Sequence, residues 1–447
     1  MELVDKLRRR AEDGNPVSVG IVGCGQMGSG LAHTIANVHG MAVTAIADIA
    51  VERAVSTFRE MGHRDDEIRI VEDKCSAEDA LRASKVVVTP HALLLAGLDG
   101  IEANVEATGS PDAGARFAVA SIENAKPVIM LNVETDITVG AWLNHTARKA
   151  GSLYTVASGD EPGVCNMLYE QARLMGFEVV CLGKGKNNPI RFDVTPAHCE
   201  EEAASRGMNP KMLASFIDGT KTMVEMAAVA NATGLVPDVP GMHGPNVDCK
   251  DLASVFIPQK DGGIFTRRGA VDYSTGPIAP GVFAIVYSAD PRIRKDMQFI
   301  TRAPGPYYLH FRPYHLCDLE TPQSVAEAVL LNEVTVTAQT MHAEVVCRAK
   351  RNLKAGQRVE GIGGCDWHGW ILTYAQARKE RAIPVGIAAG GVLLKDVPTG
   401  AILTEDTLAP DTSSFVYQLR KKQDQWLATR SCSDTVSTQP PAQGEGS

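Results

Sequence analysis

The chain has 447 residues, 44% apolar and 22% charged, a composition typical of a soluble globular protein of two or three domains. Its net charge of −9 disfavours nonspecific binding to nucleic acid or to an anionic membrane, and no apolar run is long enough to span a bilayer. The ten cysteines form no C-x-x-C pair and the first residues lack the apolar core of a signal peptide, so we expect a cytoplasmic protein with reduced thiols.

A glycine-rich turn follows the first predicted strand, which lies at about residues 17–22. Its pattern is Gly23-x-Gly25-x-x-Gly28, and the sequence after it is helical. In such a turn the first glycine permits the tight bend, the second lets the backbone approach a pyrophosphate, and the third lets helix and strand pack closely. The free N–H groups of the helix start then hold the phosphate charge, so Gln26 and Met27 join the predicted cofactor site.

Asp48 ends the second predicted strand, AVTAIADI, 20 residues beyond Gly28, where a ribose-binding carboxylate belongs. A carboxylate accepts from both ribose hydroxyls and repels a 2′-phosphate, which favours NAD. Arg53 follows soon after and could pair with that phosphate, which favours NADP. The sequence therefore predicts a nicotinamide cofactor and leaves NAD and NADP open.

Four further predicted strands end in polar residues. They are KVVVTP at 85–90, IEANVEATG at 101–109, KPVIMLNVETD at 126–136 and GSLYTVASGDEPG at 151–163. Because ligands sit beyond the carboxyl ends of parallel strands, these ends should converge on one crevice. The predicted cofactor contacts there are Thr108, Gly109 and Asn132. No spacing of the acids demands a metal, and the acids available to a divalent ion are Glu134, Asp136, Asp160 and Glu161.

The stretch CLGKGKNNPIRFDVTP at 181–196 is predicted to be a strand followed by a basic loop. Lysine neutralises phosphate or polarises a developing alkoxide, and asparagine donates to hydroxyls, so the loop suits an anionic or carbonyl substrate. The alternative is an ordinary solvated loop. The predicted catalytic group here is Lys186, and the predicted substrate contacts are Lys184, Asn187 and Asn188.

The stretch SFIDGTKTMVE at 215–225 is either an ordinary solvated helix face or part of the active site. On a continuous helix, Asp218, Lys221 and Glu225 would share one face, which is also the spacing of ordinary surface pairs. A lysine buried near a cofactor can have a lowered pKa and act as general acid or base, so we predict a catalytic Lys221 that Glu225 either orients or pairs with on the surface. His243, in the Gly- and Pro-rich loop GMHGPNVDC, is a further predicted substrate contact.

The predicted fold is α/β in three parts. A Rossmann-type parallel sheet occupies 1–150, and an α+β substrate and oligomerisation region occupies 151–340. Short β-branched runs between Gly and Pro predict a small β-rich domain at 343–411, and the polar residues 430–447 predict a disordered tail.

Several of these motifs resemble a known family. The glycine turn, VEATG and NVETD resemble the nucleotide-binding domain of homoserine dehydrogenases over roughly residues 15–235. GDEPG at 159–163, GKGKNNP at 183–189 and DGTK at 218–221 look like the homoserine-dehydrogenase-like proteins with a C-terminal SAF domain, and the segment 343–411 resembles that domain. This group includes an enzyme similar in activity to 1-deoxy-D-xylulose 5-phosphate reductoisomerase. The resemblance implies that Asp218 and Lys221 are catalytic, and we add Glu161 as a third candidate.

We therefore expect an NAD(P)-dependent oxidoreductase acting on the CH–OH or carbonyl group of a small polar compound, with or without a phosphate. A reductoisomerase activity on 1-deoxy-D-xylulose 5-phosphate would usually want a divalent metal. The alternatives are a homoserine-dehydrogenase-like or sugar-acid dehydrogenase, and a nucleotide-binding regulator without turnover. We expect a homo-oligomer, as is common for such enzymes.

Overall fold

The computed structural model of the chain describes residues 2–436. Seven strands form its largest sheet: β1 Val17–Val22, β2 Met41–Ala47, β3 Ile68–Ile70, β4 Val86–Thr89, β5 Ala103–Glu106, β6 Val128–Met130 and β7 Tyr154–Val156. All neighbours pair in parallel, in the order β3-β4-β2-β1-β5-β6-β7. The strand order reverses between β1 and β5, which is where open parallel sheets leave a crevice for ligands.

Helices cover both faces of this sheet, because its strands are apolar on both sides and must be buried on both. These helices are α1 Glu2–Glu12, α2 Gln26–Ala36, α3 Val51–Glu60, α4 Lys74–Arg82, α5 Ala92–Ala96, α6 Pro111–Glu123 and α7 Val133–Ala150. Local sequence sets several of their ends. Ser110 caps α6 through its side chain, and Gly151, with a left-handed backbone (φ +69°), ends α7.

The next part of the chain forms a five-stranded mixed sheet with its own helices. Its elements are α8 Glu161–Leu174, β8 Glu178–Gly185, α9 Glu200–Ser205, α10 Pro210–Ile217, α11 Thr220–Thr233, β9 Val236–Pro237, α12 Leu252–Val255, β10 Ala270–Ser274, β11 Val282–Tyr287, α13 Pro291–Thr301, β12 Tyr307–Arg312 and α14 Cys317–Ala326. The strand order is β12-β11-β8-β10-β9, with β8 central and antiparallel to β11. A π-helical turn, Glu327–Leu331, leads out of α14.

Two small antiparallel sheets follow. The elements are β13 Ala343–Ala349, β14 Trp367–Thr373, α15 Tyr374–Lys379, α16 Val385–Ala388, β15 Val392–Leu393, β16 Leu408–Ala409 and α17 Phe415–Val436. Helix α17 returns to the first part of the chain and packs against α6 and α7. Its buried Arg420 forms an ion pair with the buried Glu344 of β13, which fixes the last helix to the small sheets.

The predicted fold class is confirmed: a Rossmann-type parallel sheet, a second α+β part and small antiparallel sheets. Three local predictions were wrong. The strand predicted at 126–136 ends at Met130, and Asn132 caps α7, so Glu134 and Asp136 lie in a helix rather than at a strand end. Lys184 lies within β8 and not in the loop after it. Residues 430–436 of the predicted disordered tail belong to α17, and its remainder lies outside the described residues. Within residues 2–436, no helix combines the length and apolar character needed to cross a membrane.

Candidate active site

The glycine-rich turn leaves an opening above the start of α2. Gly23 has φ +91°, and a Cβ there would lie 2.7 Å from the carbonyl oxygen of Ala107. A Cβ on Gly28 would lie 1.9 Å from the carbonyl oxygen of Gly23, so both positions require glycine for close packing. A Cβ on Gly25, by contrast, would meet nothing within 4 Å. This space and the uncapped N–H groups of the helix suit an anion such as a pyrophosphate. The residues exposed at the opening are Gly25, Gln26 and Met27.

Asp48 lies beside this opening, directly after β2. Its Oδ2 accepts a hydrogen bond from the Cys24 N–H at 2.6 Å, and its Oδ1 accepts from the Ala50 N–H at 2.7 Å. These two bonds fix the carboxylate next to the glycine turn, in the place where the sequence predicts a ribose contact. Arg53 is exposed in the first turn of α3.

The ends of β5 and β6 bring the other predicted cofactor contacts to the same edge of the sheet. The Thr108 N–H donates to Glu106 Oε1 at 2.9 Å, and Gly109 has a left-handed backbone with φ +70°. Asn132 Oδ1 accepts from the Thr135 N–H at 3.1 Å and so caps α7. Glu106 was not predicted from the sequence; its complete burial raises its pKa to about 7. An acid at the end of the apolar strand ANVE was the available signal.

A buried network of lysines and carboxylates lies at the carboxyl ends of β6, β7 and β8. The Lys184 ammonium contacts the carboxylates of Glu161 and Glu225, and none of these three side chains is more than 10% exposed. Lys221 pairs with Glu134, with 3.3 Å between Nζ and Oε1. Helix starts supply two of the acids, because α7 begins at Val133 and α8 at Glu161. The network therefore joins the first sheet to the second.

The charges of this network determine which groups exchange protons. Burial lowers the pKa of Lys184, but the two carboxylates that it contacts outweigh burial and raise the pKa. The pKa of Lys221 is likewise raised, because Glu134 and Asp160 outweigh burial. Burial raises the pKa of Glu225 to about 7. Both lysines thus stay protonated near neutral pH, where Glu225 titrates.

The pKa values of Asp160 and Glu161 shift in opposite directions although the two residues are adjacent. Asp160 Oδ1 accepts the Glu161 N–H at 3.1 Å, and burial together with the Glu161 charge raises the pKa of Asp160. For Glu161, Lys184 and His315 outweigh burial and lower the pKa. His315 Nε2 lies 3.1 Å from Glu161 Oε1, and Cys317 lies next to Asp160. His315 and Cys317 were not predicted to lie in the site, since both come more than 150 residues later in the chain than Asp160 and Glu161.

Lys186 differs from the other two lysines of the site because the groups that it contacts are neutral. Its Nζ donates to Asn188 Oδ1 at 2.6 Å and to the Phe216 carbonyl oxygen at 2.7 Å. Burial, with repulsion from Lys184, lowers its pKa to about 8. Asn187, the other predicted substrate contact of this loop, is exposed.

Asp218 does not share a helix face with Lys221, so the premise of a continuous helix was wrong. The helix α10 ends at Ile217, Gly219 takes a left-handed backbone with φ +83°, and α11 begins at Thr220. Asp218 is completely buried, and its Oδ2 lies 2.8 Å from the ammonium of Lys350 in the C-terminal part.

His243 lies at another edge of the second sheet. Its Nε2 is 3.0 Å from Asp238 Oδ2, just after β9, and its backbone N–H donates to Asp272 Oδ2 at 3.1 Å. Asp272 also accepts the Gly244 N–H, and burial raises its pKa to about 6. These bonds give His243 and its loop a structural anchor at β10.

The predicted metal ligands are not brought together as a set. Asp136 Oδ1 accepts from the Tyr154 hydroxyl at 3.0 Å, and Glu134 pairs with Lys221. Across the described residues, the only group of side chains placed to hold a metal joins two of the candidate acids, Asp160 and Glu161, to two residues that were not predicted as ligands, His315 and Cys317.

Residues 159–321 match the family model described as oxidoreductase DRL, catalytic domain. The matched segment contains Lys184, Lys186, Lys221 and Glu225, with the acids of α8 and the start of α14, and it excludes Glu134. This part of the chain is thus similar to an oxidoreductase catalytic domain. No curated protein matches the chain in sequence.

Several solved structures are similar to the chain at low identity. One is described as a probable dehydrogenase from Thermotoga maritima, with 11% identity over 71% of this chain and 90% of that one, at a TM-score of 0.42. A 1-deoxy-D-xylulose 5-phosphate reductoisomerase from Zymomonas mobilis, solved with NADPH, has 14% identity over 70% of this chain and 81% of that one, at a TM-score of 0.37. A DOX-P reductoisomerase solved with magnesium has 10% identity over 71% of this chain and 80% of that one, at a TM-score of 0.36.

Proposed function

We propose that this chain is an NAD(P)-dependent oxidoreductase that moves hydride between the nicotinamide and a small polar hydroxy or carbonyl compound. The observation that carries the proposal is the environment of Lys186. This residue is a buried lysine with a pKa near 8, it lies beside the lysine–carboxylate network, and the segment around it matches an oxidoreductase catalytic domain. The open glycine turn and Asp48 support the cofactor part of the proposal.

Lys186 supplies the proton in this scheme. The reduced nicotinamide, when bound, would supply a hydride to the carbonyl carbon, and the carbonyl oxygen would then need a proton. The Lys186 ammonium gives its proton to that oxygen and regains one from solvent, which requires a pKa near the working pH. In the oxidative direction, neutral Lys186 removes the hydroxyl proton as hydride leaves the carbon.

Lys184 and Lys221 have a different role because they remain protonated. Their fixed positive charges stabilise the developing oxyanion or bind an anionic substrate group, and Glu161 holds Lys184 in place. Asp218 acts through the start of α11 and does not contact the reacting atoms. These assignments place Lys186 at the proton transfer and the other predicted catalytic residues around it.

For the substrate we propose 1-deoxy-D-xylulose 5-phosphate, with reductoisomerase chemistry. The ketose phosphate skeleton first rearranges to an aldehyde without change in oxidation state, and NAD(P)H then reduces that aldehyde. The cluster of lysines suits the phosphorylated substrate. A homoserine-like or sugar-acid dehydrogenase would use the same lysines for a single oxidation, and a silent nucleotide-binding regulator would use none of them.

The test is the absorbance of the reduced nicotinamide, with NADPH and NADH separately, on 1-deoxy-D-xylulose 5-phosphate. Homoserine and sugar acids run beside it with the oxidised cofactors. We expect cofactor consumption with the ketose phosphate, loss of turnover in Lys186→Ala with cofactor binding retained, and full turnover in the control Lys211→Ala, whose side chain is 55% exposed. Turnover of a sugar acid alone would replace the substrate assignment, and turnover that survives Lys186→Ala would contradict the proton-transfer role. The homo-oligomer, the cytoplasmic location and the SAF-like character of 343–411 stay predictions.

A further inference from the structure

Four donor groups of three chemical kinds lie together at the edge of the lysine–carboxylate network. One ligand atom from each of Asp160, Glu161, His315 and Cys317 lies within 4.8 Å of the others. Cys317 Sγ is 3.5 Å from Asp160 Oδ1 and 3.7 Å from His315 Nδ1. At metal–ligand distances of about 2.0–2.3 Å, the donors of a tetrahedral site lie about 3.3–3.8 Å apart, so a movement of about 1 Å would bring the most distant of these donors into range.

The backbone around these donors is built for close approach. Gly159 has φ +82°, and a Cβ there would lie 2.5 Å from Glu320 Cβ and 2.6 Å from the Leu316 carbonyl oxygen. Only glycine therefore lets the turn before α8 contact the turn before α14. Ser158 holds the two segments together, because its N–H donates to Ser324 Oγ at 2.8 Å and its hydroxyl donates to the Glu320 carbonyl oxygen at 2.7 Å. The pairs 160–161 and 315–317 are thus fixed against each other.

The kinds of donor select the metal. Magnesium takes oxygen ligands in octahedral geometry and keeps several waters, so a thiol and an imidazole do not fit it. Thiolate, imidazole and carboxylate together suit zinc and other first-row transition metals. Both α8 and α14 begin at these residues, and the positive helix starts favour the deprotonated ligands that a metal requires.

We propose that Asp160, Glu161, His315 and Cys317 bind one divalent transition-metal ion of the zinc or cobalt class, with the Cys317 thiolate as a ligand. Binding of the ion does not depend on the proposed reaction. Its place in the active site, beside Lys184 and Glu225, rests on the proposed function. Chemically, such an ion supplies a Lewis acid for a substrate hydroxyl or carbonyl oxygen.

The test uses Co²⁺ and the full-length protein treated with a chelator, without substrate. We expect one Co²⁺ per chain and a near-ultraviolet thiolate-to-cobalt charge-transfer band that Zn²⁺ abolishes and millimolar Mg²⁺ does not. Cys317→Ser should lose the band, and His315→Gln should weaken Co²⁺ binding by at least about tenfold. Cys249→Ser, a partly buried cysteine outside the cluster, should keep both band and affinity.

Three outcomes would overturn the assignment. They are no Co²⁺ binding by the unaltered chain, Co²⁺ binding without the charge-transfer band, and a band that survives in Cys317→Ser. Circular dichroism of each variant shows whether the fold is kept, and Asp160→Asn provides a second ligand variant if Cys317→Ser does not fold. Because no turnover is measured, failure here is distinguishable from failure of the proposed reaction.

Discussion

A buried ion pair connects the C-terminal part of the chain to the helix that carries Lys221, and its removal makes a quantitative prediction. The Lys350 ammonium lies 2.8 Å from Asp218 Oδ2, and the two side chains are 1% and 0% exposed. The ammonium also donates to the carbonyl oxygens of Val194 and Gly364 at 2.7 and 2.8 Å. The other carboxylate oxygen of Asp218 accepts the Thr220 N–H at 2.8 Å, at the first residue of α11.

Lys350→Met should be strongly destabilising, since it leaves the Asp218 carboxylate buried without its partner. Breaking such a pair from one side costs about 3–5 kcal/mol. In the double variant Lys350→Met/Asp218→Asn no charge remains, and the side-chain amide oxygen introduced by the second substitution can still accept the Thr220 N–H. The double variant then loses mainly the two hydrogen bonds from Lys350 to carbonyl oxygens, which lowers the free energy of unfolding by about 1–3 kcal/mol. Urea unfolding followed by circular dichroism should therefore show the double variant to be more stable than Lys350→Met by about 2 kcal/mol.

The same variants test whether the pair positions the active site. Thr220 Oγ1 accepts the Gly369 N–H of β14 at 2.7 Å, so the C-terminal part holds the start of α11 through a second contact close to Lys221. We expect Lys350→Met to lower kcat and to leave cofactor affinity unchanged. Lys354→Met is the matched control, because its pair with Asp396 is exposed and worth at most about 1 kcal/mol. If Lys350→Met is no more destabilising than this control, or the double variant is no more stable than the single one, the reasoning about the buried charge is wrong.

Four other groups give further predictions. The rate of carbonyl reduction should fall above about pH 8, where Lys186 loses its proton, and Lys186→Ala should lower kcat by about 10²–10⁴-fold and remove this pH dependence. Glu225→Gln removes a negative charge that raises the pKa of Lys186, so the fall in rate should move to lower pH; a move to higher pH would contradict the assignment. Burial raises the pKa of Asp136 from 3.8 to about 7, so the folded state binds this proton more tightly and loses stability as the pH rises from about 4 to 7, on the order of 4 kcal/mol. Asp136→Asn keeps an acceptor for the Tyr154 hydroxyl and should gain thermal stability relative to the unaltered chain at pH 8 but not at pH 4. Asp48→Asn should weaken NADH binding about tenfold, as measured by cofactor fluorescence, because one acceptor oxygen cannot replace two.

The elements that the sequence predicted well are those whose chemistry is local. The bend at Gly23 and the close contact at Gly28 depend on a few neighbouring residues, and the spacing of the glycines expresses both directly. Apolar strands such as KVVVTP were recognisable because parallel strands are buried on both faces. The convergence of Thr108 and Asn132 followed from a general rule of such sheets, that loops at carboxyl ends share one edge.

The partners inside the site could not be predicted in the same way, because they come from distant parts of the chain. Lys184 meets Glu225 only because β8 lies at the centre of the second sheet with α11 packed nearby. The signal for Glu225 was its place as a lone acid in the apolar run MVEMAAVA. The left-handed backbone of Gly219 broke the helix on which the shared face of Asp218 and Lys221 depended. Glycine permits that conformation without requiring it, so the sequence left both possibilities open.

In the proposed reaction, lysines in one site thus have different roles, and the neighbouring charges determine which. Lys184 faces two carboxylates and Lys221 faces Glu134 and Asp160, so each is held in its charged form and acts as a fixed cation. Lys186 is close to them but donates only to neutral oxygens, and burial together with the charge of Lys184 brings its pKa into the range where a proton can be exchanged. Lys221 was predicted to transfer the proton on the expectation that burial alone sets its pKa. The carboxylates around Lys221 reverse that effect, and proton transfer is better assigned to the lysine that has no carboxylate in contact with its ammonium.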